Sequence, residues 1–167
     1  MIVAFDKENG IGKNNAMPWH FPEDLKRFSK LTKGSGNNAI VMGKNTWNSL
    51  PKKPLPNRDN LILSTTLKFS QNSSSNNSIK AFANTTLLQD FCKEQKYDAV
   101  WIIGGSQVYK ELITELDINL IYVTLIHGVY DCDTIFPPFV NSWELLTNED
   151  KVIGSTKLSY QTYKKIV

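Results

Sequence analysis

Five short runs dense in Ile, Val and Leu, at Ile2–Phe5, Ala39–Met42, Leu61–Leu63, Ala99–Ile103 and Leu120–Ile126, recur along the chain with helical patterns at 22–32, 85–96 and 106–115 between them. This alternation constrains the fold more than any other feature. A strand that is apolar on both sides has to be covered on both faces, and the intervening amphipathic segments supply the covers. The fold class is therefore α/β. The alternating segments Trp143–Leu146 and Thr156–Ile166 read instead as antiparallel edge strands, so the sheet is expected to be mixed. At 167 residues and 41% hydrophobic content the chain supports one sizeable core, and a single domain over 1–167 is expected. Ser70–Ser78, rich in Ser and Asn, reads as a flexible surface loop.

The function classes narrow next. No basic, apolar leader is present, and the longest apolar runs are far too short to span a bilayer, so a soluble, cytoplasmic protein without a membrane partner is expected. Cys92 and Cys132 lack metal-ligand spacing and are expected to stay reduced. His20 and His127 accompany no serine or cysteine motif and no metal-ligand spacing, so neither receives a catalytic or metal role. Residues 1–70 carry 11 Lys/Arg against 5 Asp/Glu, whereas 71–167 carry 8 against 11. The basic charges are scattered and no nucleic-acid motif goes with them, which suits a polyanionic small ligand and excludes nucleic acid from the expected partners.

Asn15–Phe28 carries the chemistry. Pro22 suits the first position of a helix, and Glu23 and Asp24 follow where negative charge meets the positive end of the dipole. With Asp24 as origin, Phe28 and Leu31 share its side and Leu25 is adjacent, whereas Glu23 shares a face with Arg27 and Lys30. Glu23 is thus expected to be a solvated i,i+4 partner of Arg27, and Asp24 to face inward. Burial would raise the Asp24 pKa and the helix terminus would lower it. A capping acid is the plain alternative.

Two places run strand, glycine, helix: Gly43 before Lys44-Asn45-Thr46, and Gly104-Gly105 before Ser106-Gln107-Val108-Tyr109. Each lets backbone approach a phosphate closely. The dinucleotide fingerprint is absent, because the second site lacks the third glycine and the acid about 20 residues on. Asn9–Asn15 reads either as a mobile lid that closes on Met17-Pro18-Trp19 or as a hairpin turn at Asn9-Gly10.

Met17-Pro18-Trp19-His20-Phe21-Pro22 with Asp24, Leu25 and Phe28 resembles the active-site segment of bacterial dihydrofolate reductase. Four later segments match that family in the same order: Ile40–Trp47, Pro54–Arg58, Ile102–Tyr109 and Asp133–Pro137. The resemblance spans nearly the whole chain. It implies an eight-stranded, predominantly parallel mixed sheet with an antiparallel C-terminal edge and helices on both faces. It implies NADPH-dependent reduction of 7,8-dihydrofolate to tetrahydrofolate by a monomer, with hydride passing to pterin C6 and a proton to N5. Catalytic positions match Met17, Trp19, Asp24 and Thr124, with Asp24 orienting the pterin and Thr124 bonding the carboxylate. Substrate walls match Ile2, Val3, Ala4, Leu25, Phe28, Leu50, Leu55, Ile103 and Tyr109, and Arg58 matches the arginine that grips the α-carboxylate of the glutamate tail. The cofactor diphosphate positions match Thr46, Gly105, Ser106, Gln107 and Val108, and the 2′-phosphate positions match Lys44, Ser64 and Thr65. Other cofactor contacts match Ala4, Ile11, Gly12, Asn15, Gly43, Asn45, Leu63, Ile103, Gly104 and Tyr109. Lys44 departs from the arginine common there, which gives up bidentate geometry but not charge. The alternatives are a reductase of another pterin or a riboflavin precursor on the same fold, and a non-catalytic folate- or NADPH-binding protein.

Overall fold

The computed structural model describes residues 1–69, 77–115 and 117–166. In chain order the elements are β1 (Ile2–Asp6), β2 (Gly10–Gly12), α1 (Pro22–Lys33), β3 (Asn38–Gly43), α2 (Lys44–Ser49), β4 (Asp59–Leu63) and β5 (Ile79–Phe82). There follow α3 (Thr85–Gln95), β6 (Ala99–Gly104), α4 (Ser106–Glu115), β7 (Leu120–Ile126), β8 (Thr134–Ile135), β9 (Trp143–Ile153) and β10 (Thr156–Lys165). The Ser70–Ser78 loop expected from composition lies, except for Asn77 and Ser78, outside the described residues.

Alternation along the strands splits the interior in two. Val3, Phe5, Ala39, Val41, Leu61 and Ile102 pack with Leu88 of α3 and with Val108, Tyr109 and Leu112 of α4. Their neighbours Ile2, Ile40, Met42, Ile62 and Trp101 pack on the opposite side with Phe28 and Leu31 of α1 and Trp47 of α2. Each aliphatic side chain buried this way is worth about 1.5–3 kcal/mol, which is why strands apolar on both sides need helices on both faces.

The strands form two four-stranded sheets, ordered β1-β7-β10-β9 and β5-β4-β3-β6, and a ribbon of β2 with β8. Within the first, β1 and β7 run parallel while β10 is antiparallel to both neighbours; the second is parallel throughout. The mixed sheet and antiparallel C-terminal edge therefore follow the sequence reading. A single hydrogen-bonded ladder of eight strands does not form: the two sheets meet where β1 lies beside β6. β2, β5 and β8 have no counterpart in the sequence reading, because runs of two to four residues are too short to show a period.

Candidate active site

Phe21 occupies the N-cap position of α1 and caps it with no side-chain hydrogen bond. Asp24 does not cap the helix either. Its Oδ1 accepts from Thr124 Oγ1 at 2.7 Å, across from α1 to β7. Thr124 is almost fully buried and pairs in register with Ala4 on β1 and Tyr160 on β10, so the sheet fixes the hydroxyl that fixes the acid. Burial pushes the Asp24 carboxyl above its ordinary value, while the Thr124 bond and the charge of Arg27 pull it back. Burial prevails.

The expected Glu23–Arg27 pair does not form. The β9–β10 hairpin delivers Lys151 to Glu23, where the two form an ion pair, and delivers the Tyr160 ring to Arg27, whose guanidinium carbon stands 4.5 Å from the ring centroid. Exposed i,i+4 pairs are worth only a few tenths of a kcal/mol, so partners brought in from another element displace them easily.

A cleft of about 1150 Å³ extends from Asp24 to both glycine turns. Its walls include every expected substrate position: Ile2, Val3, Ala4, Asp24, Leu25, Phe28, Leu50, Leu55, Arg58, Ile103, Tyr109 and Thr124. Met17 lines it too and is 54% exposed. Trp19 does not. Its indole is buried against Ile126 and Leu158 and packs edge-on to Tyr130 at 5.2 Å, so it anchors the segment from behind. His20, assigned no role, lines the cleft, as do Arg27 and Thr66, which sequence reasoning also missed. Arg27 follows Asp24 at helical spacing and Thr66 extends the Ser64-Thr65 run, so each carries a local signal in the sequence.

Of the expected cofactor positions, Ala4, Ile11, Gly12, Asn15, Gly43, Lys44, Asn45, Thr46, Leu63, Ser64, Thr65, Ile103, Gly105, Ser106, Gln107, Val108 and Tyr109 line the cleft. Gly104 does not, because it backs onto Tyr109. With φ at +114°, a Cβ there would stand 2.9 Å from the Tyr109 ring. β3 and β6 are parallel neighbours, so both glycine turns emerge at carboxyl ends, where open α/β sheets bind ligands. A Cβ on Gly43 would meet Val108 at 3.0 Å and one on Gly105 would meet the Thr46 hydroxyl at 3.3 Å, so the two turns close one backbone-lined cradle. Beside it, Lys44 Nζ donates to Thr66 Oγ1 at 2.8 Å, and Ser64 Oγ lies 3.3 Å from the same hydroxyl. One ammonium and a run of hydroxyls can receive a second phosphate.

The Asn9-Gly10 step is a turn but not a two-strand hairpin, since β2 pairs with β8 and not with β1. The hairpin turn sits instead at Asn14-Asn15, both at positive φ, between the paired Lys13 and Ala16. Asparagine tolerates that conformation, and φ > 0 at both central residues is the primed geometry that suits a twisted hairpin. Asp133 Oδ2 holds its tip through the Asn14 N–H at 2.9 Å.

At the other end of the cleft, Arg58 is buried at 2% exposure. Its Nη1 donates to Thr32 Oγ1 at 2.7 Å and its Nε to Pro56 O at 2.9 Å, and no ion pair engages it among the described residues. Asn60 clamps the surrounding turn by bonding Leu55 twice and the Arg58 carbonyl once. Such a guanidinium can receive a carboxylate in bidentate geometry.

Among the described residues no cluster of His, Cys, Asp and Glu could hold a metal ion, and no helix is long and apolar enough to cross a membrane. A family model for dihydrofolate reductase matches residues 1–165. The chain is similar to dihydrofolate reductase of Drosophila melanogaster, 36% identical over 162 residues that cover 92% of this chain and 87% of that protein. It is 34% identical over 168 residues to the dihydrofolate reductase of Staphylococcus aureus, covering 100% of this chain and 96% of the relative. It also resembles the viral dihydrofolate reductase of Saimiriine herpesvirus 2, at 36% identity over 99% of this chain and 84% of the relative. The match over 1–165 and these relatives, each covered over most of its length, show that the chain belongs to the dihydrofolate reductase family, enzymes that reduce dihydrofolate to tetrahydrofolate.

Proposed function

We propose that this enzyme uses NADPH as its reductant and that the cleft residues divide as follows. Asp24 Oδ1 is taken by Thr124, which leaves Oδ2 to accept from the pterin 2-amino and ring N–H groups and so to fix the ring. That bond, inside an apolar wall, is the observation that carries the reading. The nicotinamide cofactor, when bound, supplies the hydride to pterin C6. Met17 at the cleft mouth excludes bulk water from the ring, and a single water admitted beside it can bring the N5 proton. Arg58 grips the carboxylate of the substrate tail.

The glycine cradle suits the diphosphate. Lys44 with Ser64, Thr65 and Thr66 favours NADPH over NADH, because an ammonium bonded to a hydroxyl network complements a phosphate and gains nothing from a ribose hydroxyl. On the fold, the two four-stranded sheets are read as halves of one eight-stranded sheet joined at β1 and β6. Unpaired cysteines and one family match through residues 1–165 favour a single-domain cytoplasmic enzyme.

The test is absorbance-monitored oxidation of NADPH and NADH with dihydrofolate. Turnover with NADPH is expected to exceed that with NADH at equal concentration, and Lys44→Gln should narrow the ratio. Equal use of both would remove the Lys44 assignment, and no turnover by folded protein would end the reading.

A further inference from the structure

Arg27 stands in the cleft wall and takes part in no ion pair among the described residues. It follows Asp24 by three residues, which puts both on one side of α1. Its guanidinium lies over Tyr160, Tyr160 is the register partner of Thr124, and Thr124 donates to Asp24. Cation, ring, hydroxyl and acid are thus brought to one place by α1, β10 and β7. Glu23, one turn before Arg27, is engaged by Lys151 and does not draw the guanidinium away. Arg27 and Asp24 form no direct salt bridge, since the ion pairs among the described residues lie elsewhere. The cation acts through space, from a fixed position.

We propose that Arg27 is a positioning residue that keeps Asp24 a carboxylate turned toward Thr124, and that it sets the pH range over which the enzyme grips its pterin. This rests on Asp24 being the pterin-orienting acid. The groups facing the pair are Glu23 on α1, Tyr122 on β7, Tyr160 on β10, Glu149 and Lys151 on β9, and His20 in the cleft wall. Lys151 offsets Glu23, and the charge that opposes the burial of Asp24 is that of Arg27. A guanidinium suits the place. It stays charged when half-buried and lays a flat face on the Tyr160 ring.

The experiment follows the Asp24 carboxyl carbon by 13C NMR titration in the wild type, Arg27→Met and Arg27→Lys, with Asp24→Asn to assign the resonance. The Arg27→Met midpoint is expected roughly one pH unit higher, with Arg27→Lys close to the wild type. In parallel, KM for dihydrofolate in Arg27→Met should rise more than kcat falls, and its kcat/KM profile should move to higher pH. An unmoved midpoint in Arg27→Met overturns the proposal. So does an equal rise in Arg27→Lys, which would make the effect one of packing and not of charge. Should Arg27→Met not fold, Arg27→Gln removes the same charge while keeping a planar head over the ring. Full turnover by Asp24→Asn would bring down the assignment beneath the proposal, whereas the midpoints test Arg27 separately.

Discussion

Asp24 in the cleft and Asp150 on β9 have nearly the same company. Asp24 accepts from the Thr124 hydroxyl at 2.7 Å with Arg27 nearby, and Asp150 accepts from the Ser159 hydroxyl at 2.6 Å with Lys157 Nζ at 2.7 Å and the Asn148 amide at 3.1 Å. Their acidities go opposite ways. Asp24 is held above its ordinary value, whereas Asp150 is drawn down to about 2. A hydroxyl and a cation favour the carboxylate in both places, but only in the cleft does loss of water outweigh them. The outer group also sits beside His127, whose Nε2 lies 2.7 Å from Ser159 Oγ. Because Ser159 spends its proton on Asp150, the histidine nitrogen donates to it, so this serine is no nucleophile. The outer sheet uses polar groups to tie β9 to β10 and to His127 just past β7, and the cleft uses similar groups to hold an acid for a ligand.

Breaking that contrast at its strongest point means Asp24→Asn. Turnover is expected to fall roughly 100-fold near pH 7, and by less at low pH where the substrate arrives protonated, as read by NADPH oxidation. Stability should move the other way. The folded chain binds the Asp24 proton more tightly than the unfolded chain, so stability from this group drops as pH rises from its ordinary 3.8 through the raised folded value. Asp24→Asn should therefore melt above the wild type at pH 7. A lower melting temperature would mean that the carboxylate is not strained by burial.

The cations extend the comparison. Lys157 has an acid, and Arg58, far more buried, has none among the described residues. Arg58→Lys should raise KM for dihydrofolate roughly tenfold or more, because an ammonium cannot keep the Thr32 and Pro56 bonds and also present a fork. A substrate lacking the glutamate tail should be insensitive to the change, and equal losses for both substrates would remove the tail assignment.

Two glycines sharpen the contrast in backbone terms. Gly104, behind the cleft wall, and Gly154, between β9 and β10, both have positive φ, but a Cβ at Gly154 meets nothing within 4 Å, whereas one at Gly104 meets Tyr109. Gly154→Ala should cost about 1–2 kcal/mol and Gly104→Ala clearly more, by urea unfolding. Equal costs would show that the Tyr109 ring yields without penalty.

The smallest effect belongs to Asp150→Asn, which should leave turnover unchanged. Its depressed folded value stabilises the fold above pH 3.8, and that contribution disappears as pH falls toward about 2. Urea unfolding across that window should show a shallower acid dependence in the variant. An unchanged slope would mean that the Ser159 and Lys157 bonds do not survive in solution.

The period of the apolar runs located most of the strands and three helices, because burial on two faces leaves a local imprint on composition. α1 was placed within a residue by Pro22 and its acids, and Asp24 was separated from Glu23 by helical phase alone. The five ordered segments then fixed the family. What local pattern could not supply was everything that depends on a partner from elsewhere in the chain. Glu23 prefers Lys151 to Arg27, and Trp19 turns its ring away from the cleft toward Tyr130. The sign of the Asp24 shift belongs to the same class. Phase along one helix puts the acid on the inner side, but how much water it loses is decided by β7, β10 and the cleft wall, which only the assembled chain brings to it.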